Sequence, residues 1–179
     1  HDAVEYCEML NKNFPPPQGY KYRLPTEAEW EFACRAGSDG PFCGSSQQKL
    51  PIDESAYAEH LGKFAWFSEN SQNTPQKVGE KTANALGIHD MHGNLWEWCL
   101  DHVELNKRNM LSSRVLGATD PYLAEGRWRS LRGGSYSVSF TRCRSSYRGA
   151  NSPEIKRSDR GFRIALAIDL QNKGDLQQA

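Results

Sequence analysis

Five cysteines, three central histidines and a run of arginines are the residues of this chain whose types could carry chemistry. The cysteines stand at positions 7, 34, 43, 99 and 143. Their odd number leaves at least one thiol unpaired within a monomer, and five are too few for a disulfide-dense scaffold. No CxxC pair and no Cys/His spacing of the zinc-finger kind occurs, which argues against a structural zinc site. The cysteines leave the compartment open. His89 and His92 would share a face of a helix at i and i+3, with His102 further on. Gly93 and the strand-forming residues after it oppose a helix there, and no carboxylate arrangement makes a facial triad. Loop or surface histidines are the better reading. Arg132, Arg142, Arg144, Arg148, Arg157, Arg160 and Arg163 all fall in the last third, where they could bond the carbonyls and carboxylates of long loops.

The elements that must position these residues are short. Residues 1–13 predict an amphipathic helix with Asp2 as N-cap, Glu5 three residues later, and Ala3, Cys7 and Leu10 on one face. Three consecutive prolines at 15–17 forbid its continuation. A second helix starts at Thr26, with Glu29 completing a capping box, Trp30, Ala33 and Cys34 as the inner stripe, and Gly37 as the stop. Residues 38–90 are polar and turn-rich, without a sustained period. Strand-like alternation marks 93–99, 130–136 and 161–168. Residues 101–129 form a long excursion, and 169–179 read as a polar, fraying tail. The pattern is that of an irregular α+β domain over 1–168.

Composition narrows the class of function. The chain has 179 residues, with 22 Lys+Arg against 22 Asp+Glu. Such balance gives no electrostatic reason to seek nucleic acid or an anionic bilayer. No apolar run approaches the ~20 residues of a membrane span. Five Trp, seven Tyr and seven Phe supply enough large buried surface to oppose disorder. The chain opens directly on a helical pattern without an initiator Met, as expected of a piece of a longer protein.

Three segments, YRLPTEAEWEFACRAG (22–37), NALGIHDMHGNLWEWCLD (84–101) and LRGGSY…CRSSYR…DRGFRIAL (131–166), together resemble the formylglycine-generating enzyme, or sulfatase-modifying-factor, family. The resemblance implies that family's variant of the C-type-lectin-like fold, with a small twisted antiparallel sheet and long loops, and with the family's N-terminal part lying ahead of 1–13. It implies a structural role for 22–37, anchored by Trp30, and a buried ion pair or loop-carbonyl contacts for Arg163. It also implies a structural Ca²⁺ held by the Asp90 side chain, the Gly93 and Leu95 carbonyls and the Glu97 carboxylate, a hard-cation set of oxygens.

The family's oxidase branch uses O₂ and a copper ion between two thiolates to convert a client cysteine into formylglycine. Carried over, the two thiolate positions are Val138 and Cys143, with Ser135 matching an active-site serine. Valine can neither ligate Cu(I) nor form a mixed disulfide, so the resemblance argues against copper and leaves Cys143 as a small buried hydrophobe. The stretch between GGS and GFR lies, in folds of this kind, along the surface where ligands are met. It is the stretch varied in the variable proteins of diversity-generating retroelements. Tyr136, Val138, Phe140, Arg142, Arg144, Tyr147, Asn151 and Arg157 are its candidate ligand-binding residues. The reading is a domain displaying 136–160 to a protein or other macromolecule. The alternative is a formylglycine-generating oxidase or a related O₂-dependent oxidoreductase, with Cys143 and Ser135 as its catalytic candidates.

Overall fold

The computed structural model describes residues 1–45, 54–104 and 123–170. The middle of the 101–129 excursion, and the tail beyond Leu170, lie outside the described residues.

Helix α1 (Asp2–Asn13) forms where the sequence predicts it, but His1 is its N-cap and no side chain caps it. Asp2 sits inside the first turn, where the helix dipole favours a carboxylate, and it pairs with Lys156 at 2.8 Å. The Asn11 amide then ties α1 to strand β1 (Tyr20–Arg23). It donates to the Tyr22 carbonyl and accepts from the Tyr22 N–H, both at 2.8 Å. Strand β1 has no counterpart in the predicted elements.

Helix α2 (Glu27–Arg35) carries the predicted capping box: the Glu29 N–H donates to Thr26 Oγ1 at 3.1 Å, and the Thr26 N–H to the Glu29 carboxylate at 2.8 Å. It ends on Ala36 in the left-handed region, φ 48°, one residue before the predicted stop. The polar stretch 38–90 is not loop alone. It holds helix α3 (Glu54–Gly62) and strand β2 (Ala65–Trp66). Tyr57, Ala58 and Leu61 form the apolar side of α3, a stripe too brief to stand out from its neighbours.

The segment expected to be one strand at 93–99 is divided. Strand β3 (His92–Gly93) runs parallel to β2, and β4 (Trp96–Val103) starts after Asn94 has turned left-handed at φ 60°. Gly93 is required at φ 82°, because a Cβ there would collide with the Trp66 carbonyl oxygen. Strand β5 (Trp128–Arg132) stops short of residue 136, since Gly133 and Gly134 both take positive φ. With β6 (Gly149–Asn151) and β7 (Arg160–Gly161) it completes a sheet of order β6-β5-β4-β7, in which only β4 and β7 are parallel. The expected strand 161–168 is shared between sheets. Its latter part is β8 (Ala165–Ile168), antiparallel to β1.

Two apolar clusters flank this frame. Phe42, Leu61, Ala65, Phe67 and Cys143 make one, and Trp30, Cys34, Met91 and Cys99 the other. All five cysteines are free and buried. Between the sheet and α2 runs an ionic seam. Glu27, 1% exposed, receives Arg148 at 2.6 and 2.8 Å, with Arg132 3.5 Å away. Arg132 also bonds Glu31 and the Ser145 and Tyr147 carbonyls, and its guanidinium lies 5.1 Å from the Trp30 ring centroid. Arg132 and Arg148 of the last third thus tether loops to α2. Among the described residues no helix is long and apolar enough to cross a membrane.

Candidate functional site

The segment 136–160 begins where two left-handed glycines redirect the chain out of β5. Ser135 is fully buried, its hydroxyl 3.1 Å from that of Ser137. Tyr136 is also buried. Its carbonyl accepts from Ser71 Oγ at 2.7 Å, and its hydroxyl lies 3.3 Å from Ser158 Oγ. From here inward and outward positions alternate. Val138 and Phe140 pack on the Phe42–Leu61–Phe67 cluster, while Ser137, Ser139, Thr141, Arg142 and Arg144 are exposed. A 3₁₀ turn at Phe140–Arg142 and a bond from Arg144 Nε to the Thr141 carbonyl (2.9 Å) hold that outward row.

Two candidate binding residues, Val138 and Phe140, are therefore committed largely to the core rather than to the surface. Tyr147 is half-buried against Trp96, ring centroids 5.8 Å apart. Asn151 lies half-buried on β6, where its side chain accepts from the Ser152 N–H at 2.9 Å. Arg157 is exposed and pairs with Asp159 at 3.1 Å. The structure brings Val138, Phe140 and Cys143 together and holds Arg157 elsewhere, beside the start of α1.

Cys143 is 0% exposed, and desolvation pushes its thiol well above the ordinary range. Its carbonyl pins His92, which the sequence reading placed in a loop or at the surface and which is in fact buried. The Cys43 N–H donates to His92 Nε2 at 3.0 Å, so the ring proton sits on Nδ1 and is donated to the Cys143 carbonyl at 2.7 Å. Burial lowers the His92 pKa to about 4. Burial likewise raises Cys34, whose sulfur lies 3.6 Å from Nε2, to about 12. These thiols are protonated, and His92 is a neutral structural pin. Its place beside GGSY is set by the β2–β3 pairing, which periodicity could not signal.

The four calcium candidates share one cavity of about 260 Å³, lined by Asp90, Gly93, Leu95 and Glu97 together with Arg163. Asp90 Oδ2 accepts from the Gly79 N–H at 2.7 Å, whereas Oδ1 is buried without a hydrogen-bond partner among the described residues. Glu97 accepts from Trp30 Nε1 (2.6 Å) and from Arg163 Nε and Nη2 (2.6 and 2.7 Å). Asp90 thus has an oxygen to give, and Glu97 holds the predicted arginine. Among the described residues no cluster of three or more His, Cys, Asp or Glu could hold a metal, so any cation here depends on carbonyl oxygens.

Short strands in small sheets, two early helices and long arginine-tethered loops define the irregular α+β, C-type-lectin-like class. The model of the sulfatase-modifying factor enzyme 1-like domain matches residues 1–168, and the chain belongs to that family. Chaperone protein LppX of Paenibacillus barcinonensis is 31% identical over 171 residues, which are 92% of this chain and 54% of that protein. The formylglycine-generating enzyme of Streptomyces coelicolor is 31% identical over 175 residues, 95% and 51% of the two chains. Among solved structures, Treponema denticola variable protein 1 superposes with a TM-score of 0.67 at 34% identity, covering 82% of this chain and 48% of that one. The chain spans about half the length of the curated relatives it matches.

Proposed function

We propose that this chain is a recognition module that displays residues 136–160 to a protein or other macromolecular partner. The observation that carries the reading is the alternation at 137–144. Cys143 is in the core with Val138 and Phe140 packed half-buried against it, and Ser137, Ser139, Thr141, Arg142 and Arg144 stand in solvent. Small hydroxyls beside arginines make an adaptable polar contact surface. The likeness to Treponema denticola variable protein 1 supports the same reading. The formylglycine-generating relatives would favour an oxidase. A buried, protonated Cys143, with Val138 at the other thiolate position, does not supply the paired thiolates that Cu(I) prefers. We also propose that a structural Ca²⁺ is held by the Asp90 side chain and the Gly93 and Leu95 carbonyls, with Glu97 engaged by Arg163 rather than by the ion; the unpartnered Asp90 Oδ1 supports it.

The test begins with a partner bound stoichiometrically, identified by crosslinking. Replacing Arg142 and Arg144 together by Ala should weaken its binding at least tenfold with the melting temperature unchanged. Equal binding by the double variant removes the reading. So does aldehyde formation from a cysteinyl sulfatase-motif peptide, with Cu and O₂, that disappears in Cys143→Ala.

A further inference from the structure

A cavity of about 500 Å³ lies between the start of α1, strand β4 and residues 153–157. Trp98 and Leu24 give it apolar walls, and Ile155, 43% exposed, stands at its rim. Arg157 and Arg160 are among its lining residues. Arg160 pairs with Asp159 Oδ1 at 3.1 Å, but Arg157 takes the same oxygen at 3.1 Å. One carboxylate therefore serves two guanidiniums. At the rim Lys156 and Asp2 already neutralise each other. The cavity combines surplus positive charge with an aromatic wall, in a volume that suits a small organic ligand.

We propose that this cavity binds a carboxylate carried on an apolar body. The carboxylate accepts from the Arg160 guanidinium, whose planar donors suit it, and the apolar body lies along Trp98 and Leu24. The ligand is a free aromatic or aliphatic acid, or the apolar C-terminus of a polypeptide. Residues 153–157 belong to the recognition segment, so only the polypeptide source rests on that wider reading.

The probes are phenylacetate and a short peptide ending in Phe, each compared with its amide, followed by calorimetry and by the Trp98 indole NMR signal. The acids should bind saturably and shift Trp98. Amidation should weaken binding at least tenfold, and so should Arg160→Gln. Ile155→Asp, at an exposed rim position that leaves the packing intact, should do the same by placing a competing carboxylate at the mouth. Acid and amide binding alike, or no saturable binding of either acid, overturns the proposal. A peptide acid bound tenfold tighter than phenylacetate assigns the source to a partner chain. Acid binding that persists when Arg142 and Arg144 are both Ala, although partner capture has failed to respond to them, supports the cavity and counts against the recognition surface alone.

Discussion

His92 shows how one side chain couples two distant loops. It is 1% exposed and bonded on both ring nitrogens, to the Cys43 N–H and the Cys143 carbonyl. Its pKa falls from 6.5 to about 4 on folding, because burial penalises the charged ring. Below pH 6.5 the unfolded chain therefore binds the proton that the folded chain refuses, and stability drops as pH falls toward 4. The loss over that window amounts to roughly 3 kcal/mol from this residue. Urea denaturation at pH 7 and at pH 4.5 should show it, and His92→Gln should flatten the slope while lowering stability at pH 7. A variant with the parental slope would remove His92 as its source. Sequence reading recognised His92 as a candidate for chemistry but not as a pin, because both of its partners lie about 50 residues away.

Helix α2 is the element most fully written in the sequence, and its docking is the part least so. Thr26 and Glu29 are neighbours, so their capping box is a local property. Glu27 meets Arg132 and Arg148, and its N–H donates to Asp101 at 2.6 Å, all partners more than 70 residues away. Glu27→Gln leaves two arginines facing a neutral amide and should cost about 3–5 kcal/mol. Thr26→Ala should cost only about 1 kcal/mol. Denaturant midpoints for the two variants test the order, and a reversal would mean that the local cap rather than the ionic seam holds α2. Strand β1 and helix α3 escaped the sequence because neither is long or periodic enough. The first is fixed by pairing with β8, the second by packing on Phe42 and Phe67.

For the molecule as a whole, long loops around small sheets need fasteners other than regular hydrogen-bond ladders. Arginine seams supply several of them, and a calcium ion at Asp90 would supply another. If it does, Ca²⁺ at about a hundred times its Kd stabilises the fold by about 2.7 kcal/mol. Melting curves should then fall on EDTA treatment, recover with Ca²⁺, and show no response in Asp90→Ala. An Asp90→Ala protein that still responds to Ca²⁺ would place the ion elsewhere. The fold class was legible because three segments of distinctive residues span most of the chain, and Arg163 found its carboxylate in Glu97 as expected.

Taken alone, the order of residues determined the two early helices and the missing second thiol at Val138, each set within a few positions along the chain. The tertiary structure decided which residues of 136–160 face water. It packed Val138 and Phe140, half-buried, against the cluster of Phe42, Leu61 and Phe67, and it set Arg160 and His102 beside Trp98 in one cavity. The physical reason is that burial is a property of what a side chain meets across the fold. In segments of two or three residues, local pattern carries too little information to foretell that meeting.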